Sequence, residues 1–347
     1  MRILLIGGRG FIGPSVIARL RGAGHSVILF DRGGRKDIHA DLEHILGDRQ
    51  NIGAYVDEFR RAQPEVVVDL ILSSGRQGTE LMHTFTGIAR RVVAISSIDV
   101  YRACGVLHGL EPGSLQPVPL TEDSDLRTKL ETYPPQQIKM LQKVFGWLDD
   151  SYDKIPVEQA VISQKDLPGT VLRLPFVYGP GDRLHRLYPI LKRVDDGRTT
   201  ILLEQDLAAF RGPRGYVDNV AAAIALAATD ERASGRIYNV AEQPCHSEFE
   251  WTEIVARAAG FPGEIKVVPS AQSPAHLKPT GNWKQHWSAD SSRIRRELDY
   301  IEPVPLAKAL AETIAWERSN PPAQIDPSTF DYKAEDDCLA WLISKAG

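Results

Sequence analysis

The sequence predicts an α/β protein, a doubly wound parallel sheet with a smaller C-terminal α+β domain. Three observations point to it. Apolar runs bounded by turn residues alternate with longer helical patterns through the first half of the chain. Several of these runs are continuous Val, Ile and Leu, as strands covered on both faces require. A glycine-rich stretch, Gly7-Gly8-Arg9-Gly10-Phe11-Ile12-Gly13, follows the first run directly and opens a helical pattern through Val16, Ile17 and Leu20.

In chain order, strands are expected at residues 2–6, 26–30, 44–46, 66–72, 92–96 and 170–174. Residues 111–135, rich in Pro, Asp, Glu and Thr and without periodicity, read as a long loop or lid. After Tyr178-Gly179-Pro180-Gly181 the pattern changes to mixed helices and short strands. Residues 219–228 are an Ala-rich helix, 236–240 a further strand placed to return to the sheet, and 335–343 a short amphipathic terminal helix. The division that follows is a first domain over 1–175, rejoined by 216–240, a second over 176–215 and 241–330, and a C-terminal tail and helix over 331–347.

With 347 residues, 43% hydrophobic and 25% charged, the chain has an ordinary globular composition. Its formal net charge of -4 provides no overall attraction to phosphate backbones, so a small-molecule partner is favoured over nucleic acid. The three cysteines, Cys104, Cys245 and Cys338, are widely spaced and suit neither a disulfide framework nor a metal site, so no metal is expected. No run approaches the roughly 18 apolar residues of a membrane span, and the chain opens without a secretory leader. A cytoplasmic location is the expectation.

The glycine stretch carries the most specific chemistry. Between a strand and a helix, Gly7 permits a tight turn, Gly10 lets backbone approach a pyrophosphate at the helix N-terminus, and Gly13 allows the helix to pack on the strand. Phe11 and Ile12 lie in the same turn. This is the dinucleotide fingerprint of a Rossmann fold. Asp31 ends the second strand about twenty residues on, where a carboxylate can accept both ribose hydroxyls of NAD and repel a 2′-phosphate. Arg9, Arg32, Arg35 and Lys36 are close enough in sequence to stabilise that phosphate, so NAD is preferred with NADP as the alternative. Asp48, in Gly47-Asp48-Arg49, is either a hydrogen-bond acceptor for the adenine amine or an ordinary turn residue.

Several motifs occur in a recognisable order. They are the glycine loop, Ser96-Ser97-Ile98-Asp99-Val100-Tyr101, Leu172-Arg173-Leu174-Pro175-Phe176-Val177-Tyr178-Gly179-Pro180-Gly181, Gly215-Tyr216-Val217-Asp218-Asn219-Val220 and Asp290-Ser291-Ser292-Arg293. Together they resemble the NAD-dependent epimerase/dehydratase family of extended short-chain dehydrogenases/reductases. The resemblance implies a Rossmann domain with a smaller substrate domain, a substrate that is often a nucleotide sugar, and pairing as a homodimer through a four-helix interface. It also implies cofactor contacts at Arg49, Leu72, Ser96, Pro175 and Val177. Tyr101, Tyr216 and Arg293 are carried over as substrate-side positions.

In that family a Ser or Thr, a Tyr and a Lys handle the proton while the nicotinamide moves hydride. Ser97 matches the serine. The Tyr and Lys normally stand four apart on one helix, and here the pattern breaks. The only Tyr-x-x-x-Lys string, Tyr188 to Lys192, falls after the sixth strand, past the cofactor domain. Aligning on Glu158 brings Lys154 onto the family lysine and puts Asp150 where the tyrosine belongs. Pro156 biases Ile155 toward an extended conformation, and if residues 152–154 are extended, Tyr152 and Lys154 share a face. The expected catalytic set is therefore Tyr152 as acid/base, Lys154 as its electrostatic partner and ribose ligand, and Ser97 as hydroxyl binder, with Asp150 in reserve. Arg183 and Arg186 provide cations at the mouth of the site.

Two functions compete. The first is an NAD(P)-dependent epimerase, dehydratase or reductase acting on a hydroxyl or carbonyl of a sugar-like substrate. The second is a dinucleotide-binding protein of an atypical branch, RNA-binding or regulatory, that has lost the dyad.

Overall fold

The computed structural model describes residues 1–33 and 41–346; Arg35 and Lys36 lie outside the described residues. Strands β1 (Arg2–Ile6), β2 (Ser26–Asp31), β3 (Glu43–Leu46), β4 (Val66–Asp69), β5 (Arg91–Ser97) and β6 (Gly169–Leu174) come first. The short strands β7 (Phe176–Tyr178), β8 (Thr200–Glu204), β9 (Arg214–Tyr216), β10 (Ile237–Asn239) and β11 (Glu264–Val268) follow. One seven-stranded sheet runs in the order β10-β6-β5-β4-β1-β2-β3, every pairing parallel. The predicted late strand does return to it, Tyr238 lying opposite Leu172. β7 pairs with β9 and β8 with β11 in two small sheets.

Side chains alternate along each strand, so one sheet feeds two cores. Ile3, Leu5, Val27, Leu29, Val66 and Val68 point into the face covered by the helices Gly13–Gly22 and Val217–Thr229. Leu4, Ile6, Ile28, Phe30, Val67 and Val92 point into the other, where Phe59, Leu81 and Phe85 meet them. Burial on both sides accounts for the unbroken apolar runs in the sequence.

The chain winds one way from β1 to β3 and the other way from β4 outward, and a crevice opens where the order reverses, beyond the carboxyl ends of β1 and β4. β4 stops at Asp69 rather than at residue 72. The Asp69 carboxylate accepts the Ile71 amide at 3.0 Å and takes the Arg49 guanidinium in an ion pair at 3.0 Å, which turns the chain out of the ladder and into the crevice.

Residues 111–134 carry no helix or strand, as expected of a loop, but they are tied down rather than poised as a lid. Leu120 is fully buried and bridges Ala289, and the Glu111 carboxylate accepts the Thr128 and Lys129 amides at 2.6 and 3.1 Å. A helix over Pro135–Val144 follows, which the composition of the loop concealed. Ile155 is helical instead of extended. Asp153 caps the helix Lys154–Ile162 by accepting the Ile155 amide at 2.9 Å, and Pro156 sits in the first turn, where its missing N–H has no intrahelical acceptor to lose.

Candidate active site

The crevice is a cleft of about 640 Å³ lined by residues from the carboxyl ends of β1 to β7. At its floor the chain leaves β1 through Gly7, which has φ +84°, a left-handed conformation that favours glycine, and the Gly10 amide closes the turn on the Gly7 carbonyl at 3.0 Å. A Cβ on Gly13 would stand 2.1 Å from the Gly8 carbonyl oxygen, so only glycine lets the helix start this close to the strand. Gly7, Gly10, Phe11, Ile12 and Gly13 all line the cleft. A bare backbone turn at a helix N-terminus, open to a cleft of this size, fits a dinucleotide pyrophosphate.

Asp31 faces the same cleft. Its Oδ1 accepts the Gly33 amide at 2.6 Å and pairs with Arg9 Nε at 2.9 Å, while His44 Nδ1 stands 3.8 Å from Oδ2. The acid and a cation therefore come as a unit. Arg32 is exposed at the cleft edge. Asp48 also lines the cleft, with its carboxylate accepting the Gln50 amide at 2.9 Å, the turn-capping bond that an ordinary Asp at this place makes. Arg49 is buried, donating to Asp69 and, at 3.0 Å, to the Gln77 carbonyl, so its guanidinium braces the floor.

At the other end of the cleft stand Ser96, Ser97, Tyr152, Lys154, Pro175 and Val177. Ser97 Oγ accepts the Asp99 amide at 3.2 Å. Ser96 Oγ donates to Glu158 Oε1 at 2.5 Å. Because Asp153 is extended ahead of the helix, Tyr152 and Lys154 do reach the same place: Lys154 Nζ lies 5.7 Å from the Tyr152 ring centroid. The Lys154 ammonium donates to the carbonyls of Leu72 and, at 3.0 Å, Ile95. Leu72 thus contributes its carbonyl, its side chain being buried in the core. Burial pushes the Lys154 ammonium down to about 8, against the pull of Asp99, Asp69 and Glu158. Burial likewise pushes the Tyr152 hydroxyl well above the ordinary tyrosine range, and the neighbouring Asp99 carboxylate adds to the effect.

Arg183 and Arg186 also line the cleft. Arg186 is occupied, donating to Asp182 Oδ1 at 2.7 Å and to the Val177 carbonyl at 2.8 Å. Arg183 is exposed and donates to the Val144 carbonyl at 3.1 Å.

Five expected residues stand outside the cleft lining, Leu72 being the first. Asp150 is exposed and accepts from Gln142 Nε2 at 2.8 Å. Tyr101 is fully buried, its hydroxyl donating to Asn239 Oδ1 at 2.7 Å and accepting from Arg173 Nη1 at 2.8 Å. The buried Arg173 draws it inward. Tyr216 is 1% exposed and bonds Glu312. Arg293 pairs with Glu122 and Asp123 of the long loop. Tyr188 and Lys192, the displaced dyad string, are likewise away from the cleft, Lys192 pairing with Asp196 at 2.7 Å.

The sequence reading passed over the cleft wall formed by Leu141, Val144, Phe145, Trp147 and Leu148, and over Tyr133 and Asp99. Asp99 left a signal, an acid between Ile98 and Val100 two residues after the serine; the others left none.

An open parallel sheet with a glycine turn at its switch point, a carboxylate at the end of β2, and a Ser, Tyr and Lys together at the far end define a dinucleotide-binding α/β protein of the extended short-chain dehydrogenase/reductase type. Comparison with known proteins assigns it further. The chain belongs to the NAD dependent epimerase/dehydratase family, matching it over residues 3–108 and 151–241. It is 26% identical to a 3-diazoavenalumate denitrifying reductase from a Streptomyces species over 80% of this chain and 87% of that one. It is 22% identical to chloroplast stem-loop binding protein of 41 kDa b from Arabidopsis thaliana, over 90% of this chain and 78% of that one. Among solved structures, the Bordetella bronchiseptica enzyme WbmG, crystallised with NAD and UDP, shares the fold at 18% identity with a TM-score of 0.66, covering 93% of this chain and 96% of that one.

Proposed function

We propose that the protein is an NAD(P)-dependent epimerase, dehydratase or reductase that acts on a hydroxyl or carbonyl of a sugar-like substrate, as a cytoplasmic homodimer. What carries the reading is that the Gly7 to Gly13 turn and the group of Ser97, Tyr152 and Lys154 open into one continuous cleft. Gly10 and Gly13 would hold the pyrophosphate and Asp31 the adenosine ribose, with Pro175 and Val177 on the nicotinamide side. The bound dinucleotide supplies or takes up hydride. Ser97 Oγ orients the substrate oxygen, and Tyr152 Oη exchanges its proton. Lys154 places a positive charge behind the tyrosine ring, stabilising the negative charge that develops on the substrate oxygen.

Binding of NAD and NADH measured by calorimetry, followed by turnover assays on sugar nucleotides and simpler carbonyl compounds, tests this. Turnover of any of them supports it; dinucleotide binding with no turnover across the panel favours the non-catalytic reading. The plant stem-loop binding relative gives that second reading its specific form, an RNA ligand, and the net charge of -4 opposes it. A salt-dependent affinity for stem-loop RNA would overturn the choice.

Cofactor preference gives a further expected result. Asp31→Asn removes the charged acceptor for the ribose hydroxyls, so NAD affinity should fall about ten-fold, as loss of a charge-assisted hydrogen bond does. NADP affinity should rise at the same time, because the negative charge that repels a 2′-phosphate is gone. Parallel titrations with the two dinucleotides read both changes, and equal losses for both would refute the role given to Asp31.

A further inference from the structure

The roles above leave a buried carboxylate in the cleft unassigned. Asp99 is 5% exposed and lines the cleft. Its Oδ2 accepts a hydrogen bond from Tyr152 Oη at 3.1 Å and a second from Tyr133 Oη at 3.2 Å. Its Oδ1 is buried and has no hydrogen-bond partner among the described residues. Tyr133 comes from the stretch between the two segments that match the family, and its ring centroid lies 5.9 Å from that of Tyr152.

A phenolate at Tyr152 is penalised twice here, by burial and by the carboxylate beside it. A neutral tyrosine can take up a proton from a substrate hydroxyl only if it sheds its own in the same event. The acceptor for that proton is already hydrogen-bonded to it.

We propose that Tyr152 is a proton shuttle and Asp99 the terminal proton acceptor behind it, with Tyr133 the second donor that holds the Asp99 carboxylate for this role. The proposal rests on the reading that a substrate hydroxyl meets Tyr152 in this cleft. During oxidation of an alcohol, the substrate O–H bond breaks and its proton bonds to Tyr152 Oη. The original Tyr152 proton passes to Asp99 Oδ2, giving a carboxylic acid. The electron pair of the substrate C–H bond leaves with its hydrogen to the oxidised dinucleotide, and a carbonyl remains. Tyr152 stays neutral throughout, and reduction runs the same transfers backward.

The groups facing Asp99 decide whether it is fit for this. Burial raises its affinity for a proton, and the Asp153 carboxylate adds to that. Arg127, locked on Asp153 at 3.0 Å and on the Asp99 carbonyl at 2.6 Å, opposes it, as do Lys154 and the hydrogen bond from Tyr152. The Cys104 thiol, held neutral by burial, completes the surroundings. The balance leaves Asp99 above the ordinary carboxylate range, a better proton acceptor than a solvated aspartate.

The test compares wild type, Asp99→Asn and Tyr133→Phe. In the oxidation direction kcat should fall as pH drops, because Asp99 must be ionised to accept. Asp99→Asn should lower kcat about a hundred-fold or more, the lower end of what general acid–base catalysis contributes, and abolish that limb. Tyr133→Phe removes one donor to the anion and should move the limb to higher pH by about one unit. A purely structural Tyr133 would lower activity equally at all pH values and leave the limb in place. Infrared pH-difference spectra of the substrate-free proteins provide a readout without turnover: a carboxyl band lost in Asp99→Asn should titrate at higher pH in Tyr133→Phe. An Asp99→Asn variant within a few-fold of wild type, or a limb and band unmoved by Tyr133→Phe, overturns the proposal. Failure of the wild type to bind NAD or NADP would sink the cofactor reading instead, and the infrared titration would still decide whether Tyr133 sets the affinity of Asp99 for its proton.

Discussion

Tyr152→Phe should lower kcat and kcat/KM together by about a thousand-fold, in the middle of the range that a positioned acid or base contributes, while NAD affinity stays within about two-fold of wild type. The change is narrow. Phenylalanine keeps the ring beside Lys154 Nζ and against Tyr133, so the packing that positions both survives. Only Oη goes, and with it one of the two hydrogen bonds to Asp99 Oδ2. Tyr133 still donates to that oxygen, which spares the buried carboxylate from losing all support. Because Oη acts on the reacting oxygen in the transition state and not on the dinucleotide, kcat and kcat/KM move together with no compensating change in cofactor binding. Stopped-flow absorbance and calorimetry on the same preparation read the two halves of the prediction. Activity within a few-fold of wild type would remove Tyr152 from the chemistry and leave the cofactor assignment standing.

The cofactor end of the cleft was legible because its chemistry is local. A glycine that must avoid a Cβ clash, such as Gly13 against the Gly8 carbonyl, and an acid at a strand terminus, such as Asp31, are fixed by a few consecutive residues. The two-sided burial of β1, β2 and β4 was equally open, since it writes itself as unbroken apolar runs. The substrate end was not, and the reason is physical. Tyr133 meets Asp99 across 34 residues, and Tyr152 meets it across 53, contacts that depend on how residues 109–150 fold back. The Pro-rich composition of residues 111–135 suggested a long loop or lid, yet hydrogen bonds accepted by the Glu111 and Gln116 side chains fasten it. Tyr101 and Arg293 went astray for the same reason: each has a charged or polar partner, Arg173 or Asp123, that sequence proximity does not reveal. Tyr152 and Lys154 were brought together by the argument from an extended segment, although the helix begins one residue after Asp153 and Ile155 is already inside it.

Glu158→Ala should destabilise the fold by about 3–5 kcal/mol, the cost of leaving a buried charge without its partner. Glu158 is 4% exposed and Arg173 2%. Glu158 Oε1 accepts from Arg173 Nε at 2.9 Å and Oε2 from Arg173 Nη2 at 2.7 Å, a bidentate pair, with Ser96 Oγ donating to Oε1 as well. Burial works against the Arg173 charge, and Glu158 overrides it, holding the guanidinium above the ordinary arginine value. Alanine removes that compensation and the two hydrogen bonds together, while among the described residues Arg173 keeps the Tyr101 hydroxyl and the Glu122 carbonyl as acceptors. The pair also joins the helix Lys154–Ile162 to β6, and through Ser96 to β5, so the loss loosens the support beneath Lys154 and Ser97. Urea unfolding should show the midpoint falling with an unchanged slope, since the surface exposed on unfolding is nearly the same. Replacing both partners, Glu158→Leu with Arg173→Met, should recover much of the lost stability, because no uncompensated charge then remains in the interior. A single Glu158→Ala variant destabilised by less than about 1 kcal/mol would mean that water reaches Arg173 and that the interior is not as dry as its burial indicates.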